Sequence, residues 1–186
     1  MEIDPKLYTG KPYDISLLEK CEIRCYEKLD SLGIEYRRVC HEHADTIEAC
    51  HAIEEILGAP IVKNLFLCNR QKTAFYLLIM PGDKPFKTKF LSAQIGSARL
   101  SFADGTDMER YLGTQPGSAS VLGLMNDTDI RVKLLIDRAV TKYEYIGCHP
   151  CRNTSTLKLK FDDIIEKFLP AVGHDPTYVD LPYVVE

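Results

Sequence analysis

Apolar side chains recur every three or four positions at Leu18, Cys21, Cys25, Leu29 and Leu32, and Gly33 follows them. That spacing predicts an amphipathic helix within 15–32, ended by the glycine. Residues 34–41 alternate as a strand. Asp45-Thr46, with Glu48 close behind, supplies an N-cap and an acidic first turn to a second helix that closes at Gly58. After Pro60, two runs rich in Leu, Phe, Tyr and Ile, 61–68 and 73–80, flank Asn69-Arg70-Gln71-Lys72 and predict a β-hairpin ended by Pro81-Gly82-Asp83. Helices are predicted over 89–95 and 106–112, the second terminated by Gly113, with the short segment 99–103 between them. Strands at 132–136, 142–146 and 154–160 lead to a closing helix over 161–169.

Helices and short strands without a regular βαβ rhythm predict an α+β fold: a single domain with a mixed, largely antiparallel sheet flanked by helices. The expected division is an N-terminal helical extension (1–33), the main domain (34–173) and a loosely attached C-terminal tail (174–186).

Composition narrows the class. A chain of 186 residues, 45% hydrophobic and 27% charged, is long enough to bury roughly 70% of its unfolded surface. Its apolar runs are too short to cross a bilayer, and Met1-Glu2-Ile3-Asp4-Pro5 lacks the basic and apolar regions of a secretion signal, so a cytoplasmic protein without a membrane partner is expected. Seven cysteines, an odd number spread over helices and strands, argue against a secreted disulfide framework. The net charge of −4 opposes nonspecific polyanion binding but leaves room for a local basic patch, for which Lys84, Lys87, Lys89, Arg99, Arg152, Lys158 and Lys160 are candidates. Scattered solvated lysines are the competing explanation.

Three segments could carry chemistry. Lys63 lies among apolar residues of a predicted strand, where its ammonium must reach water, an acid or an anionic ligand. A water-facing edge lysine would satisfy the same pattern. Its neighbour Asn64 points to the opposite face of an ideal strand and could share a ligand only at a bulge or a strand end. The run Gly113-Thr114-Gln115-Pro116-Gly117-Ser118-Ala119-Ser120 can bring backbone N–H groups close to a ligand, although a tight loop after a helix has the same composition. His149, ahead of Asn153-Thr154-Ser155-Thr156, could orient water or a carbonyl, or could simply hold its own loop.

Two further patterns compete. Cys148-His149-Pro150-Cys151 has the spacing of a dithiol oxidoreductase but precedes a strand rather than opening a helix. Cys40-His41-Glu42-His43 with Cys50-His51 has metal-binding side chains without the paired spacing of a structural zinc site, so no metal and no cofactor are expected. The chain has no G-x-S-x-G elbow, P-loop or G-x-G-x-x-G, which removes support for an acyl-enzyme hydrolase, an NTPase and a dinucleotide enzyme. An ester hydrolase built this way would use a positioned water.

Together, Ile61 to Leu67, Gly113 to Ser120 and His149 to Leu157 resemble the signature of the prolyl-tRNA editing family, which includes the YbaK-like deacylases and the editing insertion of bacterial prolyl-tRNA synthetases. The resemblance covers roughly Ile34 to Leu169. With Arg99 to Ala103 it is most similar to the stand-alone editors of alanyl-tRNA(Pro). It implies that Lys63 and Asn64 hold the terminal adenosine and its ester. The loop Gly113 to Gly117, with Pro116 and Ser118, would border the aminoacyl pocket, and His149, with Asn153 and Thr154, would position substrate. Val121 departs from the proline that many relatives carry after this loop, which leaves the preferred amino acid open.

The implied activity is metal-independent hydrolysis of a 3′-aminoacyl ester in trans, with mischarged tRNA(Pro) as partner, prolyl-tRNA synthetase as a further partner, and selection by a pocket that admits a small side chain and excludes proline. A noncatalytic tRNA- or aminoacyl-adenosine-binding module is the alternative, and a dithiol oxidoreductase the third.

Overall fold

The computed structural model describes residues 1–183. Its strands are β1 (Tyr8–Thr9), β2 (Tyr36–Cys40), β3 (Val62–Asn69), β4 (Phe75–Pro81), β5 (Leu100–Phe102), β6 (Val132–Asp137), β7 (Tyr145–Cys148), β8 (Ser155–Lys160) and β9 (Pro176–Val179). The helices are α1 (Lys20–Ser31), α2 (Ile47–Leu57), α3 (Thr88–Ile95), α4 (Gly105–Leu112), α5 (Phe161–Asp163) and α6 (Leu169–Val172), with a π turn (Ile164–Phe168) joining the last two. The fold is α+β, but the strands form two sheets where one was expected. The smaller has the order β1-β2-β8-β7 and is antiparallel throughout; the larger has the order β5-β3-β4-β6-β9.

Local chemistry accounts for most elements. Thr46 caps α2 by accepting the N–H of Ala49 at 3.1 Å, and Gly58 ends the helix in the left-handed region that favours glycine. The predicted hairpin pairs β3 with β4 in the register Leu65↔Leu78, and all seven β4 residues are buried, because β4 is central to its sheet. Beyond β4, the larger sheet is parallel, β6 joining β4 and β9 joining β6. Alternation along these strands divides the interior. Phe66, Phe75, Leu77, Ile79, Leu134 and Ile136 join the main core, while Leu67, Leu78, Met80 and Leu135 meet Leu91 of α3 on the other face.

The expected boundaries at 33 and 173 do not divide this structure. Cys25, Tyr26 and Leu29 of α1 belong to the main core, and β1 completes the smaller sheet. The stretch expected to be a loose tail carries the edge strand β9, and Leu181 beyond it is buried. The two sheets meet at a seam where Gly147 donates its N–H to the Pro60 carbonyl at 2.7 Å. A Cβ at Gly147 would lie 2.8 Å from a Leu57 methyl, so a larger residue there would force its neighbours to shift.

Candidate active site

The seam opens into a cleft of about 1060 Å³, walled by the start of α2, the first half of β3, the 116–119 loop and the end of β7. Lys63, Asn64, Pro116, Gly117 and His149 line it, so residues far apart in sequence converge. Gly113, Ser118, Asn153 and Thr154, expected to touch substrate, are not among the residues that line it. Ser118 spends its hydroxyl on Gln115, accepting that residue's N–H and donating to its carbonyl, both at 2.9 Å. Asn153 is buried and brackets the cleft wall, accepting the N–H of Ala44 and donating to its carbonyl, both at 3.2 Å. The Thr154 hydroxyl donates to Glu22 of α1 at 3.4 Å. Gly113 ends α4 at φ +64°, and its carbonyl accepts from Arg152 at 3.0 Å.

Lys63 is only partly enclosed, and its ammonium donates to the backbone carbonyl of Lys84 at 2.5 Å. Desolvation lowers its pKa, opposed by the nearby Asp83 carboxylate. Asn64 accepts the Val121 N–H at 3.0 Å, tying β3 to the 3₁₀ turn Val121–Asn126 that follows the loop. A proline at 121 would have no N–H for this bond.

His149 donates from Nδ1 to the carbonyl of Ser155 at 2.8 Å, which leaves Nε2 without a protein partner among the described residues. Burial lowers its pKa to about 4, so the ring is neutral at physiological pH. Cys148 shares the cleft, but burial pushes its thiol up to about 12. Cys151 instead packs its sulfur 3.5 Å from that of Cys25, and both are buried. Neither therefore has the exposed, thiolate-favouring surroundings that reactive cysteines need.

Two members of the expected basic patch are internal. Lys84 is buried and paired with Asp137 at 2.6 Å, while Arg152 bonds Glu19 of α1 at 2.8 Å. Lys87, Lys89 and Arg99 remain exposed around α3. Lining residues not expected to act at the site include Ile47, Cys50, Phe66, Met108 and Ala119, an apolar wall, and the carboxylates Asp45, Glu54 and Asp83. Their placement in the cleft depends on nonlocal packing, although the N-cap at Asp45-Thr46 marks the helix start that carries Ile47 and Cys50.

A family model described as an aminoacyl-tRNA editing domain matches residues 41–167. The prolyl-tRNA editing protein ProX of Acetoanaerobium sticklandii is 32% identical over 154 residues, covering 83% of this chain and 93% of that protein. Prolyl-tRNA synthetase associated domain-containing protein 1 of Mus musculus is 33% identical over 154 residues, with 81% and 90% covered. Among solved structures, hypothetical protein APE2540 shares the fold with a TM-score of 0.63 at 17% identity, covering 83% of this chain and 96% of that one. Among the described residues no helix is long and apolar enough to cross a membrane. The chain belongs to the aminoacyl-tRNA editing domain family.

Proposed function

We propose that this chain is a trans-editing deacylase that hydrolyses the 3′-aminoacyl ester of mischarged tRNA(Pro), with alanyl-tRNA(Pro) as its preferred substrate. The observation that carries the reading is one cleft in which a lysine ammonium, an unpartnered imidazole nitrogen and a glycine loop face an apolar wall. Family membership and the prolyl-tRNA editing relative support it. Prolyl-tRNA synthetase would deliver the charged tRNA, in the cytoplasm.

Hydrolysis adds water across the ester: the water oxygen bonds to the carbonyl carbon, the 3′ oxygen leaves, and a proton passes from the water to that oxygen. The negative charge that develops on the carbonyl oxygen meets Lys63, which keeps two ammonium hydrogens after its bond to Lys84. His149 presents Nε2 as an acceptor for the attacking water or the neighbouring ribose hydroxyl. With a pKa near 4 its main contribution is orientation rather than full proton abstraction. The Gly117 backbone allows the ester to approach closely, and Asn64 fixes the loop to the strand that carries Lys63. Ile47, Cys50, Phe66, Met108 and Ala119 supply an apolar surface for a small side chain. Cys148 is a thiol at neutral pH, so water remains the favoured nucleophile.

The test is release of alanine from alanyl-tRNA(Pro) by wild type and Lys63→Ala, with prolyl-tRNA(Pro) as control. Release that requires Lys63 and spares the prolyl ester supports the reading. Binding of charged tRNA without release above spontaneous hydrolysis, for alanyl and other aminoacyl groups alike, would replace it with the binding-module reading.

A further inference from the structure

Behind His149 lies a second histidine whose hydrogen bonds are fully determined by its neighbours. His41, buried at the end of β2, places Nδ1 2.7 Å from the Glu42 carbonyl and Nε2 2.8 Å from the hydroxyl of Thr156, which is itself buried. A carbonyl can only accept, so Nδ1 of His41 carries a proton. Burial disfavours the charged ring, so Nε2 of His41 is bare and Thr156 must donate to it. The oxygen of Thr156 then turns its lone pairs toward Nδ1 of His149, 3.5 Å away, a distance too long for a strong bond but short enough to matter for which atom holds the hydrogen. The two rings lie 5.9 Å apart between centroids.

We propose that His41 is a positioning residue: by accepting the hydroxyl proton of Thr156 it keeps that proton off Nδ1 of His149 and so fixes His149 as the Nδ1–H tautomer with Nε2 bare toward the cleft. Without an acceptor at position 41, the Thr156 hydroxyl is free to rotate and donate to Nδ1 of His149. That competes with the bond from Nδ1 to Ser155 and favours the tautomer with its proton on Nε2, which cannot accept from water or a ribose hydroxyl. The Ser155 carbonyl and the Thr156 hydroxyl face Nδ1 directly, and the Asp45 carboxylate and the His41 and His43 rings are the other titratable groups that reach it. The catalytic consequence rests on the deacylase reading; the hydrogen-bond order does not.

The experiment is two-bond ¹H–¹⁵N spectroscopy of ¹⁵N-histidine-labelled protein at neutral pH, beside deacylation of alanyl-tRNA(Pro). In wild type both His41 and His149 should be Nδ1–H tautomers. His41→Asn keeps a donor near the Glu42 carbonyl but has no atom at the Nε2 position. It should divide His149 between tautomers and slow deacylation about tenfold, because part of the population stays productive. His41→Gln, which restores an acceptor toward Thr156, should remain near wild type. Adding Thr156→Val to His41→Asn removes the competing proton and should return His149 to Nδ1–H with most of the activity. If His41→Asn does not fold, His41→Phe poses the same question.

A wild-type His149 protonated on Nε2, or a His41→Asn or His41→Phe protein with Thr156 intact whose His149 stays wholly Nδ1–H, would overturn the proposal. Tautomers that behave as stated in a protein that hydrolyses no aminoacyl ester would instead refute the deacylase reading and leave this inference standing.

Discussion

Lys63 and Lys84 are joined head to backbone: the ammonium of Lys63 reaches the carbonyl of Lys84, whose own ammonium is buried against Asp137 and the carbonyl of Leu181 at 2.8 Å. The cleft lysine is therefore held by a residue whose side chain points away from the cleft into an ion pair. Lys84→Met would leave the Asp137 carboxylate buried without its partner, costing about 3–5 kcal/mol. Urea unfolding should report that loss, and Lys84→Met/Asp137→Leu should recover much of it. Stability equal to wild type in the single variant would show that the pair does not anchor this region.

Asn64 has a structural task beside any contact with substrate. Asn64→Ala deprives the buried Val121 N–H of its acceptor and should cost about 1–3 kcal/mol in thermal or urea unfolding. Asn64→Asp keeps the acceptor oxygen and should lose less. A fall in deacylation that exceeds the change in stability would then isolate the role of the carboxamide at the ester.

At Gly113 the left-handed φ of +64° and the crowding by Asn126, whose Nδ2 would lie 2.7 Å from an added Cβ, act together. Gly113→Ala is expected to lose about 1–2 kcal/mol from backbone strain alone. Displacement of Asn126 from the Leu112 carbonyl would add to that. The melting temperature should fall and KM should rise as the 116–119 wall shifts; an unchanged melting temperature would contradict the strain argument.

The imidazole of His149 links stability to acid. Its pKa is lowered by burial from the usual 6.5 to about 4, against the raising effect of its bond to Ser155. The unfolded chain therefore binds the proton first. The contribution is fully present above pH 6.5 and is lost as pH falls from 6.5 through about 4, on the order of 3 kcal/mol in all. Wild type compared with His149→Gln by urea unfolding at pH 7 and pH 4.5 should show a smaller pH dependence in the variant. Deacylation should show no inflection from His149 near pH 6.5, since the ring is still neutral there.

Local signals in the chain were enough for the elements whose formation is local. The β3–β4 hairpin, α2 with its Thr46 cap and Gly58 stop, and the convergence of Lys63, Gly117 and His149 follow from alternation, capping chemistry and family resemblance. The split into two sheets, the parallel pairing of β6 with β4 and β9, and the 3₁₀ turn at Val121 depend on contacts distant in sequence, which period alone does not encode. Lys84 and Arg152 read as surface cations because their partners, Asp137 and Glu19, lie 53 and 133 positions away. Ser118 and Asn153 sit in the signature, yet their observed bonds are to Gln115 and to the Ala44–Asp45 wall: a motif residue can serve the loop that shapes a cleft rather than the ligand in it.

The position of β9 makes the setting of the cleft depend on the last described part of the chain. A nascent chain that has emerged through α6 already carries the lysine, the histidine and the glycine loop of the cleft. It still lacks the strand that covers β6 and the Leu181 carbonyl that completes the coordination of the Lys84 ammonium. A domain folds as a unit, so the anchor of Lys63 is complete only in a chain that includes residues 176–181. A chain cut short before residue 176 would thus hold every group proposed to act on the ester without the mature setting of its lysine.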